Sequence, residues 1–417
     1  MTSSVVFLEP KGTILEVVRA AKQRGFHVSA LSLDRTLLDG APAPYSSAVP
    51  LIDEVLPVAS WQDEESILAH CDAIHSRNPI AGVYAGMDPC ASILARLRGK
   101  YGLPTPRPED VAVVLDKFAL RKKLAEAGLS RLRNFHSREV DGWTSWGFEG
   151  AAYFKPVHGF FSAYVRRCEN LDDLRAAQAL WRDGSSNDPQ WVRSYIRSLN
   201  EYHLEEAFDG ELLSVEAITS NGRFQALGLL SRILYSQDPI VEMGSCFPYP
   251  HPLSTKIISL VEKAHQVLGL SDGPTHTEVI INPSGEAEII DLNPRFVGAD
   301  VLQSINHAYG IRVEEALLDY ALGKTPSVER NARDYSCLQY FLPPEVAVLE
   351  QVTFPDSPEV RFRTTYIKPG ARIENANRQI DYLGCYLTVM PSFEAAVGRS
   401  KELRAAVKVN RRHSGVF

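Results

Sequence analysis

Cysteine is scarce in this chain. The six cysteines, at positions 71, 90, 168, 246, 337 and 385, form no Cys-x-x-Cys pair and have no histidine at metal-ligand spacing. A thiolate metal centre and the disulfide framework of a small secreted domain are therefore excluded, and reduced thiols in a cytoplasmic protein are the simplest expectation. Long apolar runs are missing as well. No stretch approaches the roughly 18 residues of a membrane span, and the opening MTSSVVFLEP has neither a basic n-region nor an apolar run long enough for a signal peptide. There is no basic surplus: 44 Lys and Arg face 51 Asp and Glu, net −7, with clusters only at Arg121-Lys122-Lys123 and Arg411-Arg412-His413. Nucleic acid is not an expected partner, and neither is a membrane. The first strand-to-helix turn, Glu9-Pro10-Lys11-Gly12, has a single glycine, and no Gly-x-x-x-x-Gly-Lys-Ser/Thr loop occurs. A nucleotide must then be held by other means. Internal repeats and low-complexity segments are also absent.

With 417 residues, 45% of them hydrophobic, the chain can bury more than one core, and ordinary domain sizes suggest about two to four domains. Strand-like runs at Val5 to Leu8, His27 to Leu33, Glu54 to Val58 and Ile80 to Tyr84 alternate with helical spacing after Gly12, near 64–76 and near 90–99. That alternation predicts an N-terminal parallel α/β domain. Pro104, Pro106 and Pro108 mark a linker, and 111–127 reads as helical up to Gly128. From Ala151 the pattern turns β-rich, with a helix near Leu171 to Arg182 and a strand at Trp191 to Ile196. Asp209-Gly210 and Asn221-Gly222 read as hairpin turns of an antiparallel meander. After a helix running to about Leu322, short strands and a helix near Phe393 to Val407 predict a small C-terminal α+β domain.

The most informative stretch is His276 to Asp300, HTEVIINPSGEAEIIDLNPRFVGAD. Asn282-Pro283-Ser284-Gly285 has type I turn chemistry between two apolar runs, so the stretch reads as a hairpin. If Pro283 and Ser284 form the loop, Asn282 faces Gly285 and Glu278 faces Ile289, with Asp291 as diagonal neighbour. Glu278, Asp291 and Asn293 then share one face, while Val279, Ile281, Ile290 and Leu292 hold the other against a core. Two carboxylates at that spacing can reach a common hard cation, and all-oxygen ligands favour magnesium. Solvated charges on an edge strand are the common alternative for two acids in a hairpin, though Asp291 between apolar neighbours fits that poorly.

Lys155 ends a strand just before the turn His158-Gly159-Phe160-Phe161-Ser162 and follows Lys117 at a distance. Each lysine alone reads as a surface charge, but a strand-end lysine with a phosphate-cradling turn also suits a polyphosphate. The order of two lysines, strand, meander and acidic hairpin resembles the ATP-grasp superfamily, and DLNPRFVGAD is similar to its Glu-x-Asn-x-Arg-x-x-Gly signature, with Asp291 where Glu is commoner. The resemblance, to the L-amino-acid ligase branch in particular, covers most of the chain. It implies an N-terminal domain at 1–107, a first ATP-grasp part with the phosphate lid at 108–190, a second with the metal site at 191–325, and a C-terminal domain at 326–417. It also implies ATP with two Mg2+, or Mn2+, as cofactors. In that scheme Lys117, Lys155, Gly159 and Ser162 hold the nucleotide phosphates, and the backbone at Ser194 and Ile196 pairs with adenine. Glu201 holds ribose, Glu278, Asp291 and Asn293 are the metal ligands, and Arg295 is the catalytic arginine facing the transferred phosphoryl group. Arg232, after a meander strand, is a further phosphate or substrate contact, or a plain surface arginine. The 242–248 stretch and the residues after Arg295 are candidate pocket walls, with Phe247 equally suited to the core.

Arg193, Leu199 and Phe160-Phe161 depart from the family's usual Glu, Gly and small residues, which bears on hinge geometry and lid motion. The implied reaction joins a carboxylate to an amine, both small molecules, through an acyl phosphate, with a homodimer as a conceivable assembly. Two other readings stand beside it: a bicarbonate-activating carboxylase, for which no biotin-carrier Met-Lys segment is seen, and a nucleotide-binding module without catalysis.

Overall fold

The computed structural model describes residues 2–412 apart from 161, 184–194, 197–199, 237, 299, 344–346 and 374–381. Strands β1 (Ser4–Leu8), β2 (His27–Ser32), β3 (Glu54–Pro57) and β4 (Ile80–Ala85) form a parallel sheet in the order β3-β2-β1-β4. Every residue of β1 is buried, as expected for a strand covered by helices on both sides. The helix Ile14–Gln23 between β1 and β2 ends where Gly25 adopts a left-handed φ of 79°, the usual way to close a last turn. Because β2 and β4 flank β1 on opposite sides, the strand order reverses there. A crevice opens at the carboxyl ends of β1 and β4, where ligands bind in sheets of this kind.

A second, antiparallel sheet contains β5 (Asn134–His136), β6 (Ala152–Pro156), β7 (Arg166–Cys168) and β8 (Tyr202–Glu206), in the order β5-β8-β6-β7. Phe154, Trp181 and Tyr202 pack behind it, with the Phe154 and Tyr202 rings stacked at 4.3 Å. Lys155, next to Phe154 on β6, points the other way, as strand alternation requires. Tyr195 and Ile196 are helical rather than extended, so the strand expected over 191–196 is not formed at its described end.

The large sheet has eight strands. It takes β9 (Glu211–Ser220), β10 (Arg223–Tyr235), β11 (Asp238–Phe247), β12 (Gly273–Ile281), β13 (Ala287–Asn293) and β14 (Tyr335–Phe341), and two of the remaining strands, β16 (Val360–Thr365) and β18 (Gly384–Met390). Their order is β13-β12-β9-β10-β11-β14-β18-β16. The C-terminal strands thus extend the same sheet, while β15 (Ala347–Thr353), β17 (Arg372–Ile373) and β19 (Lys408–Arg412) make a small one of their own. Asn221-Gly222 turns β9 into β10, both residues at positive φ. Asp209-Gly210 does not make a hairpin. It carries the chain from the second sheet to the large one, since β8 pairs with β5 and β6, and β9 with β10 and β12. Glycine is required at 210 by close approach, because a Cβ there would lie 2.2 Å from the Ile281 carbonyl oxygen.

One hydrophobic core runs from Val5 and Phe7 through Leu230 and Phe247 to Tyr340 and Leu387, joining N-terminal sheet, large sheet and C-terminal strands. A second core lies under the opposite face of the large sheet, against the helix Ser254–Leu268. Arg98, fully buried, ties the linker in by donating to the carbonyls of Val83, Pro104, Tyr320 and Ala321. Cys246 and Cys337 sit directly opposite on β11 and β14 and are joined by a disulfide, correcting the expectation of thiols throughout. Residues 91 positions apart give no sign in sequence that strand pairing brings them together. The other four cysteines are free and buried. No helix among the described residues is long and apolar enough to cross a membrane.

Candidate active site

The hairpin forms, but its register differs from the simple reading. Asn282 N–H donates to Glu286 O at 3.0 Å and Gly285 N–H to Asn282 O at 2.9 Å, so Pro283, Ser284 and Gly285 form the loop, with Gly285 at φ 77°. This is the type I turn followed by a left-handed residue. The Asn282 carboxamide oxygen reinforces it by accepting from Ser284 and Glu286 N–H. The pairing then runs Ile281 to Ala287 and Val279 to Ile289, after which an irregularity leaves Ile290 unpaired and sets Glu278 opposite Asp291. The bulge re-aims two side chains: Ile289, not Ile290, is buried in the core, and Ile290 turns to the cavity. The acids are direct rather than diagonal partners, which places their Cα atoms about 4.5–5.5 Å apart.

A cavity of about 820 Å3 opens in front of this face. Lys117, Lys155, Gly159, Ser162, Arg232, Glu278, Asp291, Asn293 and Arg295 all line it. Lys117 opens the helix Lys117–Glu126, which Asp116 caps by accepting from Ala119 N–H, and its Nζ donates to Asp291 Oδ1 at 2.5 Å. Lys155 Nζ donates to Glu205 Oε1 at 2.6 Å. Arg121 holds the other oxygen of Glu205 at 2.8 Å, and the two cations keep that buried carboxylate far below its ordinary pKa despite desolvation. Phe160 of the glycine turn is buried, its ring 5.5 Å from Tyr195, so the turn is tied into the second sheet's core.

Two of the expected residues that the structure describes are not among the cavity lining. Ile196 is buried in the aromatic core behind the second sheet. Glu201 accepts from Arg138 and lies 3.7 Å from His136 Nε2. Ser194, together with Arg193, Leu199 and Phe161, falls outside the described residues.

Arg232 is central rather than superficial. Its guanidinium pairs with Glu242 and approaches Glu278 at 3.5 Å. His276 places Nδ1 2.7 Å from Glu216 Oε1 and Nε2 3.4 Å from Glu278 Oε1. Burial opposes charge on this imidazole, but the Glu216 carboxylate outweighs it and raises the pKa to about 9, even with Arg232 3.0 Å from Nε2. Burial likewise opposes ionisation of Glu278, and His276 and Arg232 overcome it, holding the carboxyl below its ordinary range. Glu242 goes the other way, its pKa raised by burial beyond what Arg232 offsets.

Arg295 Nε donates to both oxygens of Asp88 at 2.9 Å. Burial works against its charge, and Asp88 more than compensates. Asp88, Glu216 and His276 were not singled out from the sequence as site residues, and Glu242 was read only as part of a pocket wall. The available sign was position: Asp88 follows β4 at the carboxyl edge of a parallel sheet, and His276 is two residues from Glu278 on the same face. Phe247 is fully buried core, whereas Glu242, Phe296 and Val297 line the cavity. Among the described residues, no three His, Cys, Asp or Glu side chains are grouped to hold a metal.

Residues 152–303 match the family model described as an ATP-grasp domain. The alanine–anticapsin ligase of Bacillus amyloliquefaciens is 36% identical over 151 residues, covering 31% of this chain and 32% of the ligase. The match therefore spans about a third of that relative's length. The L-amino acid ligase from Bacillus licheniformis superposes with a TM-score of 0.80 at 18% identity, covering 99% of both chains. The biotin carboxylase domain of the Hydrogenobacter thermophilus 2-oxoglutarate carboxylase, solved with MgADP and bicarbonate, superposes with a TM-score of 0.70 at 16% identity, covering 99% of this chain and 91% of that one. The fold is that of the ATP-grasp proteins, and the resemblance to amino-acid ligases extends to sequence.

Proposed function

We propose that this chain, with its ATP-grasp domain, is an ATP-dependent carboxylate–amine ligase that joins an amino acid or related acid to an amine such as a second amino acid, releasing ADP and phosphate. The supporting observation is the convergence on one cavity of two lysines from separate segments, the acid pair of the hairpin and Arg295. The alanine–anticapsin ligase match lends the reading its choice of amide chemistry.

The oxygen donors of Glu278, Asp291 and Asn293 on one face suit magnesium, which is usually held by one or two carboxylates plus substrate phosphates. Both carboxylates now rest against cationic side chains, which a divalent ion could replace. When bound, magnesium supplies charge compensation at the phosphoryl oxygens. Lys117 and Lys155 carry positive charge to the polyphosphate, and Arg295, oriented by Asp88, faces the transferred group. With anion repulsion reduced in this way, the acid attacks the γ-phosphorus, ADP leaves, and an acyl phosphate remains. The amine then attacks the acyl carbon and expels phosphate. Seclusion in the cavity keeps water from the intermediate.

The test is product analysis of purified protein with magnesium-ATP and pooled amino acids. ADP with a new amide mass is expected. AMP would overturn the acyl-phosphate route, and ADP formed strictly with bicarbonate would favour a carboxylase.

A further inference from the structure

We infer that the cavity wall built from the N-terminal sheet and the helices Val301–Tyr309 and Val313–Ala321 is the side-chain pocket of one substrate, and that it takes an apolar side chain of leucine to phenylalanine size. The inference rests on the ligase reading, whose substrate it narrows.

The cavity has two chemically different walls. The second sheet and the hairpin contribute lysine, carboxylate and arginine. The opposite wall is furnished by Ile14, Tyr84, Phe296, Leu302, Leu317 and Tyr340, all members of one hydrophobic core and all 7% exposed or less. These side chains close that end of the cavity with little of their own surface in water, so an apolar ligand group gains by leaving water itself. The apolar wall begins at Phe296, the residue after Arg295. A carboxylate directed to the arginine therefore has its side chain within reach of the pocket.

Several polar groups on this side are already engaged with one another. Asp300, buried, accepts hydrogen bonds from the hydroxyls of Tyr45 and Tyr366 and lies 3.2 Å from Cys385 Sγ. Desolvation also raises its pKa, and the two phenol donors already occupy it. The Tyr382 hydroxyl donates to the Glu242 carbonyl. A charged side chain entering here would give up water, and the hydrogen bonds of Asp300 and Tyr382 would have to rearrange to receive it, a cost that an apolar one avoids.

The wall is also preformed. Tyr45, Asp300 and Tyr366 come from three distant segments, and Thr364 Oγ1 donates to Ala43 O at 2.6 Å beside them. A pocket fixed from three sides spends little of the binding free energy on ordering itself.

Calorimetric titration of the full chain with L-phenylalanine, L-leucine, glycine, L-aspartate and L-lysine tests this without requiring turnover. Phenylalanine or leucine should bind at least ~10-fold more tightly than the other three, since burying a side chain of that size is worth roughly 10- to 100-fold. Leu317→Trp, and the milder Leu302→Phe, should weaken that binding ~10-fold or more while leaving ATP affinity within about twofold, which also reports an intact fold. The inference is overturned if glycine, aspartate or lysine binds as tightly, if none of the five binds, or if both filling variants bind ATP and keep full phenylalanine affinity. A new amide made only from charged amino acids would sink this pocket and leave the ligase standing. Tight phenylalanine binding with no ADP formed from any mixture would do the reverse.

Discussion

Strand β12 separates two buried histidines that live in opposite ways. Thr275 turns to the core and bonds His265 Nε2 at 2.7 Å, while His265 Nδ1 contacts Val261 O. Burial alone acts strongly there, and the imidazole's pKa falls to about 4. His276, the next residue, turns to the cavity, where Glu216 raises it to about 9. Both side chains are almost wholly removed from water. The difference is the carboxylate that only one face supplies, so dryness by itself decides neither charge nor role. One face of β12 is built for cohesion, and the other concentrates charge that its own partners must balance.

This division can be broken from either side. The largest effect is expected on the core face: Ile289→Ala should cost roughly 2–5 kcal/mol of stability in urea unfolding, with turnover per folded molecule unchanged. On the cavity face the order of effects should invert. Asp291→Ala and Arg295→Ala should each lower ATP turnover at least ~10²-fold per folded molecule, with the unfolding midpoint little moved for Asp291→Ala but lowered for Arg295→Ala, which leaves buried Asp88 without its partner; near-normal rates in both variants would refute the site assignment.

A third effect sharpens the contrast between the histidines. With a folded pKa of about 4 against roughly 6.5 unfolded, His265 takes up its proton first in the unfolded chain as pH falls. Its contribution is complete above pH ~6.5 and is lost toward pH ~4, the loss reaching about 2 kcal/mol at pH 5. His265→Gln should flatten the stability profile between those limits, and coincident wild-type and variant profiles would show that the core histidine is not held neutral. The smallest effect belongs to the loop between the faces. Gly285→Ala, forced to a φ of 77°, should cost ~1 kcal/mol and leave turnover intact; lost turnover would mean that the loop, not the bulge, sets the acids in register.

The parallel sheet was legible because unbroken apolar runs and glycine stops repeat at regular intervals from Val5 to Tyr84. The acids were legible because alternation puts Glu278, Asp291 and Asn293 on one side under either register. The bulge at Ile290 was not, since loop length and bulge each shift pairing by one residue, and the two together keep the acids on one face while turning a diagonal pair into a direct one. Asp209-Gly210 misled because glycine serves a close backbone approach there as readily as a tight turn. Asp88 to Arg295 and Cys246 to Cys337 are contacts across long separations, and no local pattern encodes a partner that only tertiary folding delivers. Sequence leaves Arg232 open between a surface arginine and a site contact, because exposure depends on the neighbouring strands, which its own segment does not reveal.

The continuation of the large sheet into β14, β18 and β16 bears on how the chain can be synthesised and cut. During emergence from the ribosome, β11 can complete its ladder only once the segment that becomes β14 is available. A product ending near residue 325 would hold the acid hairpin and both lysines, yet display β11 as an open template for other chains. The C-terminal quarter therefore covers the β11 edge, and the domain matched at 152–303 is not a unit that can be cut out without exposing it.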